Sequence, residues 1–154
     1  WRAAGIGDGM IGALWAEGVV AEIALFSVSG AVVARLGPAR LFMLGAVAGA
    51  VRWTTLGLTT DVATLAAVQA LHGLTFGAVH LGAMHFIANR VRPAFAATAQ
   101  SLYSSTAMGI AMGLAMMAAG TLYAAFAASA FFAMAALSLA GGLVAVGLAR
   151  AGRA

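Results

Sequence analysis

The chain has 154 residues, 64% of them hydrophobic and 8% charged, with 20 glycines, 2 prolines and no cysteine. A soluble domain carries about 25% charged residues, so this chain, at a mean hydropathy of +1.03, reads as helices packed in a bilayer. Soluble enzymes, nucleic-acid readers and disordered linkers are excluded, and the isoelectric point of about 11.2 reflects arginines at helix ends rather than a basic nucleic-acid face.

Long apolar runs broken by charge, Gly or Pro predict five membrane-spanning helices, each near or above the ~20 residues a bilayer requires. Helix A covers about residues 11–35, and helix B about 40–58 after the Gly37-Pro38 turn. Helix C covers about 61–90, with Asp61 as its N-cap. Helix D, about 93–124, opens on Pro93 in a first-turn position. Helix E covers about 129–148, set off from D only by small residues between Tyr123 and Phe131. A, C and D exceed the hydrocarbon core, so they tilt, bend or project beyond it. Three small-xxx-small pairs, Gly45/Gly49, Gly73/Gly77 and Gly109/Gly113, allow close helix approach.

The connections sort by charge. Arg35 and Arg40 lie in the A–B turn, Arg90 and Arg92 in the C–D turn, and Arg150 and Arg153 in the tail, all on one side of a five-span zigzag. The other side has Asp8, Thr59, Thr60, Asp61 and only Arg2. Basic short loops stay cytoplasmic, so the C-terminus is expected inside and Trp1 outside. Trp1 is preceded by no initiator Met or signal peptide, so at least one upstream helix and a longer polypeptide are expected.

Ionisable residues at mid-membrane cost about 2.5–3.5 kcal/mol on insertion scales, so each needs a partner or a role. Glu22, Arg52 and His72 lie about eleven to thirteen residues from the ends of helices A, B and C, which at about 1.5 Å per residue sets all three near the midplane. A carboxylate, a guanidinium and an imidazole at one depth suit a coupled proton and anion site. In that arrangement Glu22 pairs with Arg52 at rest, and a buried structural ion pair would use the same two residues. Glu17, about 140° from Glu22 around the helix, is a further candidate, as is Trp53. Gln69, Thr75 and His80 on helix C, with Gln100 and Tyr103 three apart on helix D, offer hydrogen bonds to a substrate or to another helix. Trp15, Trp53, Phe76, Tyr103 and Tyr123 could line an apolar pocket or form an interfacial belt. No catalytic, phosphate-binding or metal-ligand motif is visible, so no enzyme activity, cofactor or metal is expected.

Several polar positions carry a family resemblance. Ala21-Glu22, Val51-Arg52-Trp53, Gln69-Ala70-Leu71-His72 with Thr75-Phe76, His80-Leu81, Ala83-Met84 and Phe86-Ile87-Ala88 resemble the phenylpropionate permease family of the major facilitator superfamily. Gln100-Ser101-Leu102-Tyr103-Ser104 and Ala107-Met108-Gly109 extend the resemblance, which covers about residues 12–134. The resemblance implies an all-α membrane protein: helices 8–12 of a twelve-helix transporter, five spans of its C-terminal six-helix bundle, with helix 7 and the N-terminal half missing. Arg35, Gly37 and Arg40 resemble a degenerate basic loop motif of that superfamily that lacks its acidic partner. More distantly, the spacing of Arg52 and His72 is similar to the coupling arginine and histidine of lactose permease, although Thr75 and Phe76 stand where that permease has a carboxylate.

The expected function is proton-coupled symport of a small organic solute, such as an aromatic carboxylate like 3-phenylpropionate, across the inner membrane. Glu22 and His72 would carry the proton, and Arg52, Gln69, Thr75, His80, Gln100 and Tyr103 would bind substrate. The expected partners are substrate, protons, the lipid bilayer and the missing half of the same chain, with no nucleic acid. A transporter-fold scaffold or sensor, and a symporter of a sugar or nucleoside, are the alternatives.

Overall fold

The structure, a computed structural model, describes residues 1–151, and every regular element among them is a helix. In chain order these are α1 (Asp8–Ser27), α2 (Ser29–Leu58), α3 (Val62–Gln69), α4 (Val79–Arg90), α5 (Ala96–Tyr103), α6 (Met112–Phe126) and α7 (Phe131–Ala151). Two widened, π-type stretches, Gly73–Ala78 and Ser104–Ala111, join α3 to α4 and α5 to α6. Arg153 lies outside the described residues.

Helix A differs from the sequence expectation. A continuous rod over 11–35 is replaced by α1 and a second stretch, 29–36, that starts after Val28 leaves helical geometry (φ −110°, ψ 11°). Ser27 donates its hydroxyl to the Ala24 carbonyl at 2.7 Å, and such local bonds compete with the helical ladder. Within α2 the axis breaks again at Gly37, whose φ of 69° is a left-handed conformation natural to glycine. Pro38 then opens the stretch 38–58, where its missing N–H costs nothing. Asp61 caps α3 by accepting from the Thr64 amide at 2.8 Å and the Thr64 hydroxyl at 2.7 Å.

Four stretches are long and apolar enough to cross a membrane: Asp8–Ser27, Ser29–Leu58, Val62–Arg90 and Pro93–Arg150. The last is interrupted at Ala127 (φ 49°, ψ −132°), where α6 ends and a short turn, Ala127–Ala130, leads into α7. The outer surface carries exposed Val19, Val20, Ile23, Leu114, Met117, Leu143 and Val144. Water would tolerate that surface poorly, whereas lipid tails match it. The chain is an all-α, multi-pass membrane protein.

α2 lies along α7 and also packs on α4 and the Gly73–Ala78 stretch, while α1 packs on that stretch and on α3. Gly73 sets this spacing. A Cβ built on it would lie 2.8 Å from the Ala21 carbonyl oxygen, so α1 and the centre of helix C touch backbone to backbone. At the Asp61 end, Ile6, Leu14, Leu56, Leu65 and Val68 form a core against which Trp1, Trp53 and Phe131 pack. In a bilayer such contacts stabilise through dispersion and close fit, because lipid tails are as apolar as the core.

Candidate functional site

Helix C supplies most of the polar groups, and its two neighbours complete them. From α2, Arg52 enters the interior with only 7% of its surface exposed. Its Nε and Nη2 both donate to Gln69 Oε1, at 3.1 and 2.8 Å, and Gln69 Nε2 donates to the Leu14 carbonyl of α1 at 3.3 Å. The guanidinium also lies 4.8 Å from the Trp53 ring centroid. A guanidinium has five N–H donors; Gln69 engages two, leaving three for another acceptor.

The expected Arg52–Glu22 ion pair does not form. Glu22 instead faces His72, with Oε2 and Nε2 3.8 Å apart and both side chains mostly buried. That separation is too long for a direct hydrogen bond and within ion-pair range for a protonated imidazole. The reason is packing: Gly73 brings Ala21 and Glu22 against helix C, and a Cβ on Gly77 would sit 3.5 Å from Glu22 Cγ. Gly18 accepts the His72 ring on the same contact, its built Cβ lying 3.1 Å from His72 Cβ. Glu22 is thereby committed to His72, and Arg52 to Gln69.

Between helices B, C, D and E lies a cavity of about 810 Å³. Arg52, His72, Thr75 and Ser138 are polar members of its lining, and Trp15, Trp53, Phe76, Met112 and Met116 contribute to its apolar walls. Few polar groups in a mostly apolar concavity is the usual composition of a small-molecule site. Thr75 is turned partly to its own helix, donating to the His72 carbonyl at 3.2 Å.

A column of rings runs along helix C. His72 stacks on Phe76 (5.9 Å between centroids, 13° between planes), and Phe76 on His80 (5.9 Å, 5°). Tyr103 of α5 and Phe26 of α1 tilt against His80 at 6.1 and 6.3 Å. Nδ1 of both His72 and His80 is buried without a hydrogen-bond partner. An α-helix advances about 40° between residues i and i+4. The wider turn at Gly73–Ala78 counters that drift and keeps the three rings in line.

The site candidates therefore divide. Arg52, His72, Thr75 and Trp53 line the cavity. Gln69 buttresses Arg52, Glu22 backs His72, and His80 and Tyr103 extend the ring column. Gln100 is exposed and Glu17 half-buried, and neither belongs to the cavity lining. Sequence reasoning did not single out Ser138, which donates to the Met134 carbonyl at 2.9 Å, or Met112 and Met116. The four-residue spacing of Met108, Met112 and Met116 on helix D was the available signal for the methionines. Of the aromatic pocket candidates, Trp15, Trp53 and Phe76 line the cavity, while Tyr123 packs on Phe131 at 6.0 Å.

Residues 2–134 match the MFS_1 like family, and the chain belongs to it, within the major facilitator superfamily. The chain is 37% identical over 139 residues to the probable 3-phenylpropionic acid transporter of Escherichia coli (strain K12). The match covers 90% of this chain and 36% of that relative. No solved structure matches the chain.

Proposed function

We propose that this member of the MFS_1 like family forms helices 8–12 of a proton-coupled symporter for a small aromatic carboxylate such as 3-phenylpropionate. The supporting observation is Arg52: buried, fixed by Gln69 and bordering a largely apolar 810 Å³ cavity with three donors to spare. A carboxylate matches the planar fork of a guanidinium, and an aryl group matches walls of Trp, Phe and Met. His72 at the cavity and Glu22 behind it carry the proton, and Phe76, His80 and Tyr103 extend the aromatic surface.

The remaining part of the protein supplies the opposite wall, and rocking of one half against the other gives alternating access. The arginine-bearing end faces the cytoplasm, with the protein in the inner membrane. The experiment uses the full-length protein in inside-out and right-side-out vesicles with an imposed pH gradient. Labelled 3-phenylpropionate should accumulate, and Arg52→Ala should abolish its uptake. Glu22→Gln should abolish accumulation while sparing exchange down a gradient. Uptake that persists without Arg52 would make the arginine structural, and accumulation by Glu22→Gln would overturn the proton assignment.

A further inference from the structure

A second cleft opens at the arginine-bearing end, wedged between the Gly37-Pro38 break, the last turns of α4 and the end of α7, with a volume of about 470 Å³. Arg40, Asn89 and Arg90 form its polar side, and Met43, Phe86 and Leu148 its apolar side. We propose that this cleft binds an anionic phospholipid, with the phosphate between Arg40 and Arg90 and an acyl chain along Met43, Phe86 and Leu148. The proposal is independent of the transported solute.

The charge distribution is the first support. Arg35, Arg40, Arg90, Arg92 and Arg150 gather at this end, and the four acidic side chains of the chain are all elsewhere. Asp8 pairs with Arg2, Asp61 caps α3 at the opposite end, Glu22 faces His72, and Glu17 lies further back along α1. Among the described residues, Arg40 and Arg90 have no ion-pair partner. No acidic side chain among the described residues offers them a counter-charge, and the nearest anions at a membrane surface are lipid phosphates.

The lining is the second support. The Arg90 guanidinium lies 6.0 Å over the Phe86 ring, which keeps the cation at the rim of the apolar side. Asn89 is tied to His85 (Nδ2 to Nε2, 3.0 Å), which fixes its amide beside the arginines. A free phosphate would use the cations and leave the apolar side bare. A phospholipid uses both.

The test titrates the full-length protein, in neutral detergent, with palmitoyl-oleoyl phosphatidylglycerol or the matching phosphatidylcholine, and counts bound lipid by native mass spectrometry. Phosphatidylglycerol should be retained and phosphatidylcholine not. The double variant Arg40→Gln/Arg90→Gln should weaken retention about twenty-five-fold, the product of roughly fivefold for each basic residue at an anionic surface. Arg35→Gln/Arg92→Gln removes equal charge from the same end outside the cleft, and should change retention less than about threefold. If the first double variant does not give a monodisperse protein, Met43→Trp, which fills the cleft at unchanged charge, should produce the loss. Equal retention of the two lipids overturns the proposal. So does equal loss in both double variants, which would mean diffuse surface attraction. Displacement of the lipid by millimolar inorganic phosphate would identify a free-phosphate site and overturn it too.

Discussion

The centre of helix C and the middle of helix D contain the same glycine motif in opposite circumstances. Gly73 and Gly77 press against α1 so closely that a methyl group on Gly73 would meet the Ala21 backbone, whereas Gly109 and Gly113 have nothing within 4 Å. Around the first pair lie Glu22, His72, Gln69 and Arg52, each held by a neighbour; α6 has no buried residue. A small-xxx-small pair thus gives a helix the capacity for close approach and leaves open whether a partner stands there. Only the first site has had its side-chain geometry fixed by a neighbouring backbone.

That contrast can be attacked directly. Gly73→Ala should have the largest effect, lowering stability by about 3 kcal/mol because the added carbon meets backbone that cannot swing aside. Thermal unfolding of the detergent-solubilised full-length protein measures it, and a cost near zero would show that α1 and helix C are not welded. Gln69→Leu should follow at about 2 kcal/mol, since it deprives a buried guanidinium of its acceptor. The same variant should weaken substrate binding more than turnover, read as a rise in KM.

A smaller effect separates the starts of the two helices. Helix C begins with the Asp61 cap, whose carboxyl is held below the ordinary carboxylate range by the Thr64 hydroxyl and then the Thr64 amide. A depressed folded pKa gives a contribution that is present above the unfolded value of about 3.9 and is lost as pH falls through the folded one. Helix D begins on Pro93 without a side-chain cap. Acid should therefore loosen the start of helix C, seen as faster amide exchange near Thr64, and Asp61→Asn should remove that pH dependence. The smallest effect is expected for Gly113→Ala, within about 0.5 kcal/mol of the parent or slightly stabilising through helix propensity. A penalty matching that of Gly73→Ala would reveal that helix D has a close partner in the full-length protein.

Breaks and caps were legible in the sequence because they act locally. Gly37-Pro38, Asp61 and Pro93 each impose a conformation on their own backbone, and the structure has a break, a cap and a helix start at those places. Rise per residue is nearly constant, which is why the sequence could bring Glu22, Arg52 and His72 to one level, and the three do lie around one region. Direction around the helix was not. Choosing Glu22 as the partner of Arg52 required knowing which way each side chain turns, and the breaks at Val28 and Gly37 reset that angle between the two. Ser27 was the one local hint of the break at Val28, and a single serine in an apolar run is a weak signal.

The bond from Gln69 to Leu14 gives Arg52 a mechanical reach beyond its own surroundings. Gln69 holds the guanidinium with its oxygen and the backbone of α1 with its nitrogen, so it behaves as a tie rod between two helices. Leu14 and Glu22 are on one α-helix, eight residues or about 12 Å apart along its axis. Under the proposed function, an anion that drew Arg52 toward the cavity would pull through the amide on α1, the helix that carries Glu22. Two groups that do not touch are thus joined through one amide and one helix, and a load on the first would be carried to the second.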